Sequence, residues 1–286
     1  MRIRACLLLC LIVPLPPAPE GPAVWRVSHA GVTDYLVGSI HLLPAGEAMP
    51  ARYAEAYAAT RTLVFESDIA ALRDPTNQLH LMAAAELGES GGLEAVLPAE
   101  LYRRLSARLA SLGLPFELLR PYEPWFAAMT LESLAYLREG FSPLHGVELW
   151  FHQQAVADGR TLGWYETPRE QFELFAGMPR AIGIEMLEAT LEQQTASAQP
   201  AGEILAIWRD GDLATLAGRL AEFARESPDL YARLLADRNR RWLPSLLEQL
   251  RDREAQLIVV GLAHFVGPDG LIEALRARGI AVERMP

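Results

Sequence analysis

At 286 residues and 51% apolar, the chain is long enough to bury one large α/β core or two small ones, and wholesale disorder is excluded. Its net charge of −10 leaves no basic surface for phosphate, which argues against a nucleic-acid partner and, more weakly, against an anionic membrane surface.

The first residues read "MRIR", then "ACLLLCLIV", then "PLPPAPEGPA": basic, apolar, then small and proline-rich. That order is the pattern of a secretory signal, so residues 1 to about 20 are expected to be a signal peptide and the mature chain periplasmic or secreted. The apolar stretch is far below the roughly 20 residues that a membrane span needs, and no integral span is expected in the mature chain. Cys6 and Cys10 both lie in this segment, so the mature chain would carry no thiol for a disulfide, a metal or nucleophilic catalysis.

"VTDYLVGSI" (32–40) is β-branched and aromatic, a strand; "PARYAEAYAATR" (50–61) opens on proline and is alanine-rich, a helix; "TLVFESD" (62–68) is again a strand. Such a unit implies two parallel strands joined by a crossover. From Pro75 to about Phe141 the pattern is helical, and the block 71–144 is expected to be a helical insertion covering the site. "GVELWFHQQAVADG" is a further helix, "RTLGWYE" (160–166) a third strand, and "TPREQFELFAGM" a helix. Residues 180–250 are helical, with breaks expected at Pro200, Pro228 and Pro244. The chain closes as strand "AQLIVVGLAH", helix "PDGLIEALRARG" and strand "IAVERM". The expected fold is therefore α/β: one domain over 24–286, a mixed sheet with strand–helix–strand units at both chain ends.

Each of those units carries Gly-x-x-His at the exit of its first strand: Gly38 with His41, and Gly261 with His264. Average glycine usage would give roughly 0.4 such histidines among the six present, so two are uncommon. His29, His80, His145 and His152 lack the glycine and the preceding strand. In open α/β sheets ligands bind outside the carboxyl ends of strands, where both His41 and His264 are placed. Acids gather in the same layer: Glu66 and Asp68 at the end of the second strand, and Glu166 at the end of the third. A buried histidine, a turn acid or a helix cap is the bland reading of each alone. Together, two imidazoles and two carboxylates form a natural first shell for zinc, manganese, cobalt or iron rather than calcium. The spacing is not that of a helical His-Glu-x-x-His site.

Arg238 lies four residues from both Leu234 and Trp242, on the apolar stripe Leu234–Leu235–Trp242–Leu246, with Asn239 bordering it. An arginine facing the core needs a carboxylate partner, here Glu66 or Glu166. Pro244 threatens to end that helix early. "HGVELW" puts His145 and Glu148 three apart, with Glu148 a further candidate for the pocket. "RPYEPW" (120–125) reads as packing at a helix start, Gly267 and Gly270 beside Asp269 as another helix start, and Ser39 belongs to no nucleophile elbow.

"YLVGSIHLLP", "LVFESDI", "GVELWFHQQAVADGRTLGWYETPREQFELF", "RNRRW" and "VVGLAHFVGPDGLIEALRARGIAVERM", in that order, resemble the TraB/GumN family, which is related to the animal Tiki proteins. The family's paired histidine motifs, early glutamate and late arginine fall on His41, Glu66, Arg238 and His264; Ser39 stands where threonine is common. The resemblance to the Tiki branch implies metal-dependent peptidase activity, with manganese or cobalt the expected ion. The chain is thus expected to be an exported metal-dependent hydrolase acting on a peptide or small molecule. His41, Glu66 and His264 would be ligands, and Glu66, Arg238 and Glu166 would carry catalysis, with Glu148 an alternative to Glu166 as further ligand or general base. The competing reading is a binding protein that sequesters a peptide or an iron compound in the same pocket.

Overall fold

A computed structural model describes residues 21–29, 31–88, 91–196 and 199–286; the leader-like segment and both cysteines lie outside these. Among the described residues the strands are, in chain order, β1 (Val24–His29), β2 (Val32–Ser39), β3 (Leu43–Pro44), β4 (Thr62–Ser67), β5 (Phe141–Ser142), β6 (Thr161–Glu166), β7 (Gln256–Gly261) and β8 (Val282–Arg284). Six of them form one sheet in the order β6-β4-β7-β2-β1-β8, and β3 pairs with β5 in a small antiparallel ribbon.

β7 is buried at every position and sits between β4 and β2, parallel to both. A strand covered on both faces has no polar side to present, so its run Leu257–Val260 is apolar throughout. β6 extends the parallel set beyond β4. β1 runs against both of its neighbours, β2 and β8, which makes the sheet mixed and points β8 the same way as the parallel strands. Both strand–helix–strand units are present, but neither closes on an adjacent strand: β7 separates β2 from β4, and β2 and β1 separate β7 from β8. The sequence reading contained no strand at Val24–His29, although Ala23, Val24, Trp25 and Val27 are all core residues.

Helices cover both faces. Phe65 meets His152 of the helix Val147–Ala157, with ring centroids 6.1 Å apart. Trp164 pairs in register with Phe65, so the next residue, Tyr165, faces the other way, and it stacks on Trp242 of the helix Asp237–Gln249 at 5.4 Å. Residues 71–144 contain the helices Pro75–Ala84, Ala99–Ser111 and Pro124–Arg138. Much of this block packs around a second apolar cluster shared with the helix Arg180–Ala196, where Leu105, Leu131 and Leu187 are fully buried.

Pro200 and Pro228 stand at helix starts, as a residue without an N–H can. Pro244 does not break its helix, contrary to the sequence reading: it lies inside Asp237–Gln249. The packing of Trp242, Leu243 and Leu246 against the sheet holds that helix together across the lost hydrogen bond. A five-residue π-helical stretch, Ala232–Ala236, leads directly into it. No helix among the described residues is long and apolar enough to cross a membrane.

Candidate metal centre

The carboxyl ends of β2, β4, β6 and β7 come together at one edge of the sheet, because these four strands are mutually parallel. The two glycines of the paired motifs are what lets them close up. A Cβ on Gly38 would strike the Leu262 side chain, and a Cβ on Gly261 would lie 3.0 Å from Glu66 Oε1 and 3.8 Å from His41 Nε2. Each motif's glycine thus makes room for a residue of the other motif.

The two histidines nevertheless end in different surroundings. After β2 the chain runs on over the helix Val147–Ala157, where Val147 N–H donates to the Ile40 carbonyl and Gly146 packs directly on the His41 backbone. The His41 side chain is left 63% exposed, with Nδ1 2.7 Å from Glu148 Oε1. Glu148, and after it Glu66, pushes the His41 imidazolium pKa up to about 9. The hydroxyl of Ser39 donates to the same Glu148 oxygen, fixing the carboxylate between the two.

After β7 the chain instead turns into a 3-10 helix, Leu262–His264, which carries the second histidine inward. His264 is buried, its ring 4.5 Å from that of Trp242. Asn239 donates its amide to the carbonyls of His264 and Asp269, so its Oδ1 faces His264 Nδ1 at 2.7 Å. On the other side Arg238 Nη1 lies 3.1 Å from His264 Nε2. A guanidinium can only donate, so Nε2 accepts and the proton sits on Nδ1. Burial, with the charge of Arg238 beside it, pushes the His264 pKa down to about 3, so the ring is neutral.

Arg238 is the hub of the buried layer. Nη2 donates to Glu66 Oε2 at 2.7 Å and to Glu166 Oε2 at 2.9 Å, Nε contacts both Glu166 oxygens, and the guanidinium lies 4.6 Å from the Trp242 ring centre. The inward-facing arginine read from the sequence therefore meets both proposed carboxylates. Glu166 also accepts from Trp242 Nε1 at 3.0 Å and Arg241 Nη2 at 3.3 Å, which fully occupies it with donors. Glu66 accepts from Gly261 N–H at 2.7 Å through Oε1. Burial would raise the Glu66 pKa, but the Arg238 charge, the two neighbouring histidines and the Gly261 N–H together outweigh it and hold the carboxyl well below the usual glutamate range.

His41, Glu66 and Glu148 each offer a ligand atom within 4.8 Å of the other two, and together they form a possible metal-binding group. Donors about 2.1 Å from a common ion lie roughly 3–4 Å apart, so this trio fits one after small side-chain adjustments. Its imidazole and two carboxylates suit a divalent transition ion. His264 lies outside the group with Nε2 turned to Arg238, although it is 3.8 Å from Glu66 Oε1. Glu166 is held by Arg238 and lies outside the group. Asp68 caps the helix Ile69–Leu72 by accepting from Ala71 N–H, and His145 is exposed outside the group. Ser39 was missed as a site residue because its partner is 109 positions away. Beside the group opens a cavity of about 320 Å³, lined by Phe65, Ile69, Leu72 and Leu149 and by the polar side chains of Arg73 and Gln171.

No curated protein and no solved structure matches the chain. The TraB/PrgY/gumN family model, in contrast, matches residues 23–284, a span that includes both histidine motifs, Glu66, Glu148 and Arg238. The chain belongs to the TraB/PrgY/gumN family.

Proposed function

We propose that the protein is an exported hydrolase that uses a divalent metal ion, manganese or cobalt, to cleave peptide bonds. The observation that carries this reading is the convergence of His41, Glu66 and Glu148 at the mouth of a cavity. A divalent ion held there would polarise a substrate carbonyl and acidify water at neutral pH. Each carboxylate oxygen has two acceptor sites, so Glu66 Oε1 keeps one free after accepting from Gly261. Arg238 pins the other oxygen and prevents the carboxylate from turning away. Glu148 is the proton acceptor. Glu166 is saturated by Arg238, Arg241 and Trp242, and Glu66 is held by Arg238 and Gly261. Glu148 lines the cavity with only Oε1 held, by Ser39 and His41, so Oε2 takes the proton. It takes a proton from the attacking water, whose oxygen adds to the carbonyl carbon. The C–N bond then breaks and the proton passes to the leaving amine. The leader-like composition of residues 1–20 supports export.

The test is elemental analysis of the purified protein, followed by peptide-library cleavage with and without added manganese. We expect about one ion per chain and manganese-dependent cleavage, both lost in His41→Ala with an unchanged circular dichroism spectrum. Tight peptide binding with no cleavage at any metal concentration would favour the sequestering reading instead.

A further inference from the structure

The cavity beside the metal group is lined by three polar side chains that the proposed chemistry leaves unused, Arg73, Ser67 and Gln171. Arg73 follows the short helix Ile69–Leu72, is exposed, and lines the cavity with a guanidinium that makes no hydrogen bond or ion pair among the described residues. Ser67, at the end of β4, is buried and also lines the cavity, and its hydroxyl oxygen is shielded from solvent with no hydrogen-bond partner among the described residues. A buried hydroxyl without a partner is costly, and a planar guanidinium is matched by a carboxylate. The apolar part of the lining includes Phe65, Ile69, Leu72 and Leu149, and the carboxylates Glu66 and Glu148 belong to the metal group. The volume, about 320 Å³, is at the small end of ligand pockets, which span roughly 300–1,000 Å³. An apolar side chain carried next to an anionic group satisfies all three features at once. The other cavity-lining cation, His41, already has Glu148 as its partner, which leaves Arg73 for the anion.

We infer that this cavity is a subsite for the C-terminal residue of a peptide, with its apolar side chain against Phe65, Ile69, Leu72 and Leu149, its free α-carboxylate on Arg73 and its main chain hydrogen-bonded to Ser67. The inference deepens the hydrolase reading and rests on it for what happens to the bound peptide, but binding itself requires no turnover.

The test is calorimetric titration of the full chain, in chelator, with N-acetyl-Ala-Leu-Phe and with the same peptide as its C-terminal amide. The free acid should bind about 10- to 100-fold more tightly than the amide, the range expected for a charge-assisted hydrogen bond. Arg73→Gln should erase that preference by weakening the acid alone, and Arg73→Lys should restore part of it. Ser67→Ala should weaken both peptides equally without lowering the melting temperature. Equal binding of acid and amide, a preference that survives Arg73→Gln, or no binding of either peptide would each overturn the subsite. A separate manganese titration keeps the two readings apart. Acid preference without metal uptake sinks the hydrolase and leaves the subsite, and metal-dependent cleavage of acid and amide alike does the reverse.

Discussion

Gly38 and Leu262 interlock across the centre of the sheet: the side chain of Leu262 occupies the space a Cβ on Gly38 would fill. The reciprocal contact lies one strand position away, where Ser39 pairs with Gly261 and a Cβ on Gly261 would crowd Glu66 and come into ordinary contact with His41. The paired Gly-x-x-His motifs are therefore one packing unit, and each glycine is needed by the other half.

The two glycines should fail differently. Gly261 has φ −52° and ψ 134°, which alanine adopts freely, so Gly261→Ala stresses only the space beside Glu66 Oε1. It should weaken manganese binding at least tenfold while lowering the melting temperature by no more than a few degrees. Gly38→Ala must displace Leu262 within the core and should cost about 1–3 kcal/mol in a urea denaturation series. If Gly261→Ala leaves manganese affinity unchanged, the ion does not sit between Glu66 and His41.

The matched histidines should titrate in opposite directions. His41, pushed up to about 9 chiefly by Glu148, contributes stability that is complete below the ordinary histidine pKa near 6.5 and is lost as pH rises through 9. His264, pushed down to about 3 by burial, contributes stability that is complete above about 6.5 and is lost as pH falls toward 3. Together they place the metal-free protein's stability maximum near neutrality. Histidine ring NMR shifts of the metal-free protein, assigned through His41→Gln and His264→Gln, should show one titration near 9 and one absent above pH 5. Two histidines titrating together near 6.5 would refute both environments.

Ser39 should matter through its hydroxyl alone. It donates to Glu148, a member of the metal group that also holds His41 Nδ1, so the serine is the outer partner that orients a ligand. Ser39→Ala should reduce manganese affinity about 10- to 100-fold, the usual loss for such a partner, whereas Ser39→Thr keeps the hydroxyl and should bind as the parent does. A chromophoric chelator competition measures both, and equal loss in the two variants would point to packing rather than to the hydrogen bond.

The parts of this site that were legible in the sequence are those set by local pattern. The apolar run of β7 and the appearance of Glu66 at the end of the apolar run of β4 mark strand exits, and the position of Arg238 on an apolar stripe forces it inward. The rest depends on contacts between distant segments. His41 and His264 share a motif yet differ because Gly146 packs on one and Asn239 grips the other, and neither neighbour is signalled near the histidine itself. Glu148 and Glu166 were interchangeable in sequence; Arg241 and Trp242 separate them by saturating Glu166. β1 escaped notice because its short run directly follows a proline-rich stretch, and its strand character comes from pairing with β2 and β8. The π-helical stretch before Arg238 has no sequence signature comparable to a proline or a glycine.

The coupling between Arg238 and Glu66 should be large. Both side chains are buried, Nη2 donates to Oε2 at 2.7 Å, and the same guanidinium also serves Glu166 and the neutral His264. Removing one partner of such a pair strands the other charge, at a cost of about 3–5 kcal/mol. Arg238→Ala strands two carboxylates and should therefore fall at the upper end of that range. Arg238→Lys should recover only part of the loss, because an ammonium cannot serve Glu66, Glu166 and His264 in one plane. Glu66→Gln keeps the shape and removes the charge, so in a double-mutant cycle its effect should largely vanish once Arg238 is gone. Additivity within a few tenths of a kcal/mol would mean the pair carries no coupling. In that event Glu166, with its donors from Trp242 and Arg241, would be the carboxylate that holds Arg238 in the core, and Glu66 would be free to turn toward His41.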